Sequence, residues 1–175
     1  CTELRSAGIE VVMEVEEEEA EEARELYEAF AKHVATGIPF VTAKFAMSLD
    51  GKIATRAGDA KWVSGAESRS VVQQMRRESD AVLVGLNTVV ADDPQLTARD
   101  GEGNPIQRQP LRVVVDSNCR MPSSAQILRQ PGTTIVAAIR GAPQTRVDQL
   151  LKAGAEVLSF PADRHGRVNM EALLA

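Results

Sequence analysis

Lys44 is a cation inside an apolar run. It stands in PFVTAKFAM, and the run ends in the crowded sequence Ser48-Leu49-Asp50-Gly51-Lys52. Strand alternation places Val41, Ala43 and Phe45 on one face and Thr42, Lys44 and Ala46 on the other. An ammonium on an inner face is costly unless it meets an anion or hydrogen-bond acceptors. Two readings follow: a lysine snorkelling at a sheet edge, or a cation beside a bound polar substrate. A second candidate is Gly85 to Thr88, which follows the apolar run DAVLVG. Backbone N–H groups opening a helical turn there can meet phosphate or ribose oxygens, although a plain strand-to-helix turn reads the same way. A third apolar run ends in VVDSN, with Asp116 and Ser117. Three strand ends carrying hydroxyls and carboxylates on neighbouring strands would line one rim, where open α/β sheets bind ligands.

Several chemistries lack their residues. No G-x-G-x-x-G follows a strand and no Walker A motif is present. There is no H-E-x-x-H, no H-x-E with P-C-x-x-C and no nucleophile elbow. His33 and His165 read as surface residues. Cys1 and Cys119 offer no metal spacing, and a reducing cytoplasm suits so few cysteines. Aromatics make up 3% of the chain, too few for a stacking platform on single-stranded nucleic acid. No apolar run approaches the roughly 20 residues of a membrane span. The net charge of -5 is uneven: residues 1–37 hold eleven acids and three bases, the remainder fourteen acids and seventeen bases. The body is mildly basic, which is compatible with an anionic small ligand and far too weak for DNA.

The elements that must position these residues alternate. GIEVVMEV reads as a short strand. An acidic helix follows, with Ala20, Ala23, Leu26, Tyr27, Phe30 and Val34 at helical spacing, glutamates in its first turn and Gly37 and Pro39 at its stop. Its apolar side is expected to pack on something. PFVTAKFAM is a strand and SLDGKIATRAGDAKWVS a polar loop. Ser64 and Glu67 have capping-box spacing for a helix with Val71, Val72 and Met75 inward. DAVLVG, LRVVVDS and TTIVAAI read as buried strands. LNTVVADDP is a short helical turn, TRVDQLLKAG a helix stopped by Gly154, and AEVLSF a further strand. NMEALLA opens a last helix. Strands alternating with helices predict an α/β fold with a mostly parallel central sheet and helices on both faces.

PFVTAKFAMSLDGKIAT, GDAKWVSG, DAVLVGLNTVVADDPQLTAR and LRVVVDS together resemble the C-terminal reductase domain of the bifunctional riboflavin-biosynthesis (RibD) family. The likeness is specific from Pro39 to Ser117 and less distinctive beyond. It implies a dihydrofolate reductase-like fold. It also implies three segments: residues 1–15 as the tail of a deaminase domain, 16–37 as a linker helix and 38–175 as a reductase domain. The implied reaction is NADPH-dependent reduction of 5-amino-6-(5-phosphoribosylamino)uracil to the ribitylamino compound, hydride going to the sugar C1′ of an opened, imine-like form. Zinc would serve only a deaminase domain outside this chain. The expected glycine-rich loop for the cofactor pyrophosphate would lie beyond Ala175.

Residue by residue, the resemblance puts Ala46, Trp62, Thr88, Asp92 and Ser117 at NADP. It puts Ala60, Arg76, Leu96 and Arg99 at the substrate, the two arginines gripping the ribose phosphate. Ala60 departs from the serine common in the family and loses a hydroxyl. Lys44 matches the lysine near the sugar. Asp50 stands in the turn beside the nicotinamide, as proton donor or as turn-former. A cytoplasmic homodimer or larger homo-oligomer is implied, with neither nucleic acid nor membrane as partner. Two alternatives stand beside the reductase: a non-catalytic nucleotide-binding or dimerising fragment, and a pteridine reductase, against which the phosphate-facing arginines argue.

Overall fold

The computed structural model describes residues 2–12, 17–58, 60 and 63–175. Trp62, positions 13–15 of the expected first strand and the side chains of the glutamates at 16–19 lie outside the described residues. The chain divides into two compact units, residues 1–43 with 174–175, and residues 44–173.

The first unit holds α1 (Thr2–Ser6) and α2 (Glu17–Thr36). The strand expected at GIEVVMEV is absent over its described part. Gly8 N–H donates to Arg5 O at 3.0 Å and Ile9 N–H to Leu4 O at 3.0 Å, so this segment leaves α1 as a helix-ending turn. Helix α2 stops at the expected Gly37, whose N–H meets His33 O at 2.8 Å. Its apolar side is not covered as expected: Leu26, Tyr27, Phe30 and Val34 are all exposed, Leu26 at 90%. Helical spacing aligns a stripe but does not supply the surface that buries it.

The second unit is built on a four-stranded sheet. Its strands are β1 (Ala81–Gly85), β2 (Leu111–Val115), β3 (Thr134–Ile139) and β4 (Glu156–Phe160), in that spatial order and all parallel. The connections carry α4 (Leu86–Asp92) after β1 and α5 (Gln144–Lys152) after β3; α3 (Ala66–Glu78) precedes the sheet and α6 (Met170–Leu174) follows it. This is the expected α/β architecture. Central position decides burial. Val136, Ala137 and Ala138 of β3 are fully buried, whereas β1 alternates, with Val82 and Val84 against the core and Leu83 43% exposed. β1, read as buried on both faces, alternates between exposed and half-buried positions, while β2 alternates between buried and half-buried ones after an exposed Leu111. Ile127 and Leu150, at 0% and 1% exposure, pack into the same core from a 3₁₀ turn and from α5. Each such burial contributes about 1.5–3 kcal/mol. α5 ends as the sequence predicts: Gly154 takes φ +93, its N–H meets Leu151 O and that of Ala155 meets Leu150 O, the paired bonds of a Schellman stop.

The strand expected at PFVTAKFAM does not form. Residues 39–48 are irregular, and Phe45 and Met47 are exposed at 71% and 53%. A strand exists only where a neighbour completes its ladder, and no described residue pairs with this stretch. Helix α3 also starts differently. Its N-cap is Gly65, with no side-chain cap, so Ser64 lies one residue too early for a capping box. The inward face of α3 is shifted as well. Val71 is 56% exposed, while Val72, Met75, Arg76 and Ser79 are half-buried along one stripe.

Arg112 on β2 is 1% exposed and was not singled out from sequence. Its guanidinium donates to Pro131 O at 2.6 Å, Gly132 O at 2.8 Å, Gln130 O at 3.3 Å and Thr134 Oγ1 at 3.0 Å. One cation therefore collects the carbonyls of the turn entering β3. Gly132 sits there at φ +91, and a Cβ on it would meet Gln109 Cβ at 2.9 Å. Only glycine fits this crossing without a shift.

Candidate functional site

Parallel pairing sets Gly85 level with Val115. The segments leaving β1 and β2 therefore emerge side by side at one rim, the carboxyl end of the sheet. From β1 come α4 with Thr88 and Asp92, both exposed. From β2 comes the turn at Asp116 and Ser117. Ser117 is half-buried, and its Oγ accepts the N–H of Val168 at 3.1 Å, leaving the hydroxyl hydrogen free to donate to a ligand. Three of the five residues expected at the cofactor, Thr88, Asp92 and Ser117, thus lie on the two segments that leave adjacent strands. Ala46 is half-buried in the irregular 44–47 stretch, outside the sheet.

All three described non-glycine residues with positive φ lie in these two exits: Asp93 at 40°, Leu96 at 53° and Cys119 at 52°. Left-handed backbone costs about 1–2 kcal/mol for an ordinary residue, and such strain clusters at ligand sites. It is held here by local bonds. Asp93 ends α4 and accepts Gln126 N–H at 2.8 Å and Gln126 Nε2–H at 3.1 Å. Leu96 is 6% exposed, with its side chain in the core. Through it, the following residues are turned toward α3.

That turn builds the second cluster. Arg76 Nη1 donates to Thr97 O at 3.3 Å, Gln73 Oε1 accepts Arg99 N–H at 3.2 Å, and Arg77 Nη1 donates to Arg99 O at 2.8 Å. Arg99 Nε donates to Thr97 Oγ1 at 3.0 Å, and its Nη2 donates to Gln95 Oε1. Gln109 clasps Ala98 from behind through both its amide groups, each at 2.9 Å. Arg76, Leu96 and Arg99, three of the four residues expected at the substrate, are therefore brought together. Helical spacing did not count Arg76 among the inward residues of α3; the structure places it on the half-buried face. Burial, and then the neighbouring charge of Arg99, lower the pKa of Arg76 from the usual guanidinium range. Neither arginine has a carboxylate within ion-pair reach among the described residues. Two half-buried like charges without a counter-ion among the described residues could hold an anion.

Among the described residues, Lys44, Asp50 and Ala60 make no hydrogen bond to either cluster. Lys44 is exposed, which overturns the inner-face placement; its strand has no ladder partner to make a face inner. Asp50 is exposed and engaged in its own turn, where Ser48 Oγ–H donates to Asp50 Oδ1 at 2.5 Å and Gly51 N–H meets Ser48 O at 2.9 Å. Ala60 is exposed, and Trp62 lies outside the described residues. Sequence reasoning passed over Thr97, fully buried between the two arginines, and the scaffold glutamines Gln73, Gln95 and Gln109. Glutamines carry no motif signal; only their partners reveal them. The VVDS ending had flagged Asp116. It is 1% exposed, with Oδ2 accepting Met121 N–H at 2.7 Å and Oδ1 lacking a partner.

Comparison with known proteins identifies the family. The family model "RibD C-terminal domain" matches residues 39–175. The chain is 44% identical over 156 residues to riboflavin biosynthesis protein RibD of Aquifex aeolicus, covering 89% of this chain and 42% of that protein. It is 42% identical over 142 residues to 2,5-diamino-6-ribosylamino-4(3H)-pyrimidinone 5′-phosphate reductase of Archaeoglobus fulgidus, covering 78% of this chain and 63% of that protein. Among solved structures, a deaminase/5-amino-6-(5-phosphoribosylamino)uracil reductase of Thermotoga maritima superposes with TM-score 0.72 at 33% identity, covering 99% of this chain and 44% of that one. The chain thus spans a little under half the length of the RibD relatives it matches. The expected dihydrofolate reductase-like class holds for the parallel sheet and its helices. With the match over 39–175 and these relatives, the chain belongs to the RibD C-terminal domain family.

Proposed function

We propose that this chain carries the binding surfaces of an NADPH-dependent reductase acting on 5-amino-6-(5-phosphoribosylamino)uracil. The observation that carries this reading is the Arg76–Arg99 pair: two half-buried guanidiniums without a counter-ion among the described residues. A ribose 5-phosphate supplies that counter-ion through forked, charge-assisted hydrogen bonds. The family relatives named for phosphorylated ribosylaminopyrimidines support the same substrate class. A pteridine offers no phosphate and leaves the pair uncompensated.

The rim of β1 and β2 fits a dinucleotide. Thr88, Asp92 and Ser117 offer small polar groups there, and Ser117 keeps a donor free. When bound, the dinucleotide supplies the hydride. The chain's residues bind and orient. Arg76 and Arg99 hold the phosphate end of the substrate, Leu96 turns the loop that joins their two segments, and the rim seats the nucleotide. We assign Ala46 and Trp62 to the cofactor and Ala60 to the substrate on the family likeness. Lys44 and Asp50 are assigned to the reacting sugar on the same ground, with Lys44 donating a hydrogen bond to it. A cytoplasmic homodimer belongs to the same reading. The structure adds that no helix among the described residues is long and apolar enough to cross a membrane.

The test is calorimetric titration of the chain with NADPH and with the phosphoribosylaminouracil, followed by nicotinamide oxidation when both are present. Saturable binding of both is expected. Removing the phosphate from the substrate should weaken its binding at least tenfold. Equal affinity for the phosphorylated and dephosphorylated compounds would remove the ground for the substrate assignment.

A further inference from the structure

Gln109 is half-buried and lies two residues before β2. Its Oε1 accepts the N–H of Ala98 at 2.9 Å, and its Nε2 donates to Ala98 O at 2.9 Å and to Ile106 O at 2.6 Å. A carboxamide carries an acceptor and a donor side by side, so it matches the N–H and C=O of a single residue. Ala98 is fully buried, as is Thr97 before it. A buried N–H left without a partner is costly, so the clasp decides where this stretch of chain runs. The stem of Gln109 is held in turn. A Cβ on Gly132 would meet Gln109 Cβ at 2.9 Å and Cγ at 3.6 Å, so the turn clamped by Arg112 lies directly against it.

Ala98 is also one foot of a short antiparallel ribbon. Ile106 N–H donates to Ala98 O at 3.1 Å, Arg99 bridges Pro105, and Asp100 N–H donates to Asn104 O at 2.9 Å. Gln109 reaches both legs of that ribbon, through Ala98 and through Ile106. Arg99 is the next residue along, on the leg facing α3: its N–H meets Gln73 and its carbonyl meets Arg77. Arg76 comes from α3 itself, on a separate element from the clasp, and both arginines reach Thr97. We propose that Gln109 is a positioning residue for the substrate phosphate: by clasping Ala98 against Ile106 it sets Arg99 beside Arg76 at Thr97. This rests on the substrate reading above and adds how one of its two guanidiniums is held.

Phosphate preference separates this role from general stability. The chain is titrated by calorimetry with the phosphoribosylaminouracil and with its dephosphorylated counterpart, and the preference is the ratio of the two affinities. Gln109→Met keeps the side-chain bulk and deletes the clasp. The preference should fall about fivefold to tenfold, part of the worth of a charged hydrogen bond. Affinity for the dephosphorylated compound should stay within about twofold, and in an Arg99→Ala background the same substitution should change the preference by less than about twofold, because the residue it positions is gone. The NMR signal of Arg99 Nε–H, which donates to Thr97 Oγ1 in the parent, should shift in Gln109→Met. An unaltered preference in Gln109→Met overturns the proposal and leaves the substrate reading standing. So does an equal loss of affinity for both compounds, which would make Gln109 purely structural, or an undiminished effect in the Arg99→Ala background. If the unaltered chain itself shows no preference, the proposal and the substrate reading fail together. Should Gln109→Met melt below the assay temperature, Gln109→Asn carries the test. It keeps the amide one methylene short and should lose part of the preference; full preference there overturns the proposal.

Discussion

Arg112 and the Arg76–Arg99 pair show two uses of the same side chain. Arg112 is sealed under the sheet, and four acceptors of the chain itself consume its donors. Burial lowers its pKa, and no neighbouring charge contributes. Arg76 is only half-buried, has a single 3.3 Å bond to a carbonyl, and faces another cation. The first arginine is saturated by the fold, and its work is structural. The second pair is held in position by backbone and glutamine contacts but is not electrically satisfied. In the reading proposed here, saturation, rather than burial or residue type, separates the structural arginine from the ligand-binding pair.

Substitution can break that contrast, starting with the largest effect. Arg112→Met should destabilise the second unit by about 3 kcal/mol, because it removes four hydrogen bonds, to Thr134 Oγ1 and to three turn carbonyls, at ~0.5–1.5 kcal/mol each. Urea unfolding reads this as a lower midpoint with unchanged slope, and an unchanged midpoint would show that the turn is satisfied another way. Arg99→Ala should do the opposite. Folding stability stays within about 1 kcal/mol, since a like-charge contact is relieved. Affinity for the phosphorylated substrate falls by about 1.5–3 kcal/mol, the worth of a charged hydrogen bond. Arg99→Ala binding the substrate like the parent would end the comparison.

Gly132→Ala sharpens the structural side. It places a Cβ at 2.9 Å from Gln109 at φ +91, beside the Arg112 clamp. A loss of about 1–2 kcal/mol is expected, seen as a lower melting temperature. A smaller effect should come from Lys44→Ala. The side chain is exposed and outside the sheet, so stability should shift by less than about 0.5 kcal/mol. A larger loss of stability would mean that Lys44 is embedded after all.

The contrast also separates what was readable from what was not. β1 to β4, the short α4 and the Gly154 stop were legible, because apolar runs and glycine punctuation act locally. The PFVTAKFAM strand was misread for the converse reason: its pattern is right, but a strand needs a partner, and pairing is not a local property. Arg76 illustrates the same limit at the site. A register shift of one position on α3 moves it from the solvated side to the half-buried one, and only packing against the 97–99 loop sets that register.

Taken alone, the sequence determined the alternation of elements, the parallel sheet class, the polar endings of its strands and the family likeness carried by its motifs. All of these depend on residues near one another in the chain. Tertiary structure decided which cations are saturated, which strand ends share a rim, where Leu96 and Cys119 turn left-handed, and that Lys44 lies open. Those outcomes depend on contacts between distant segments. Arg76 meets Thr97 across 21 positions and Gln73 meets Arg99 across 26, and no local pattern encodes such a meeting.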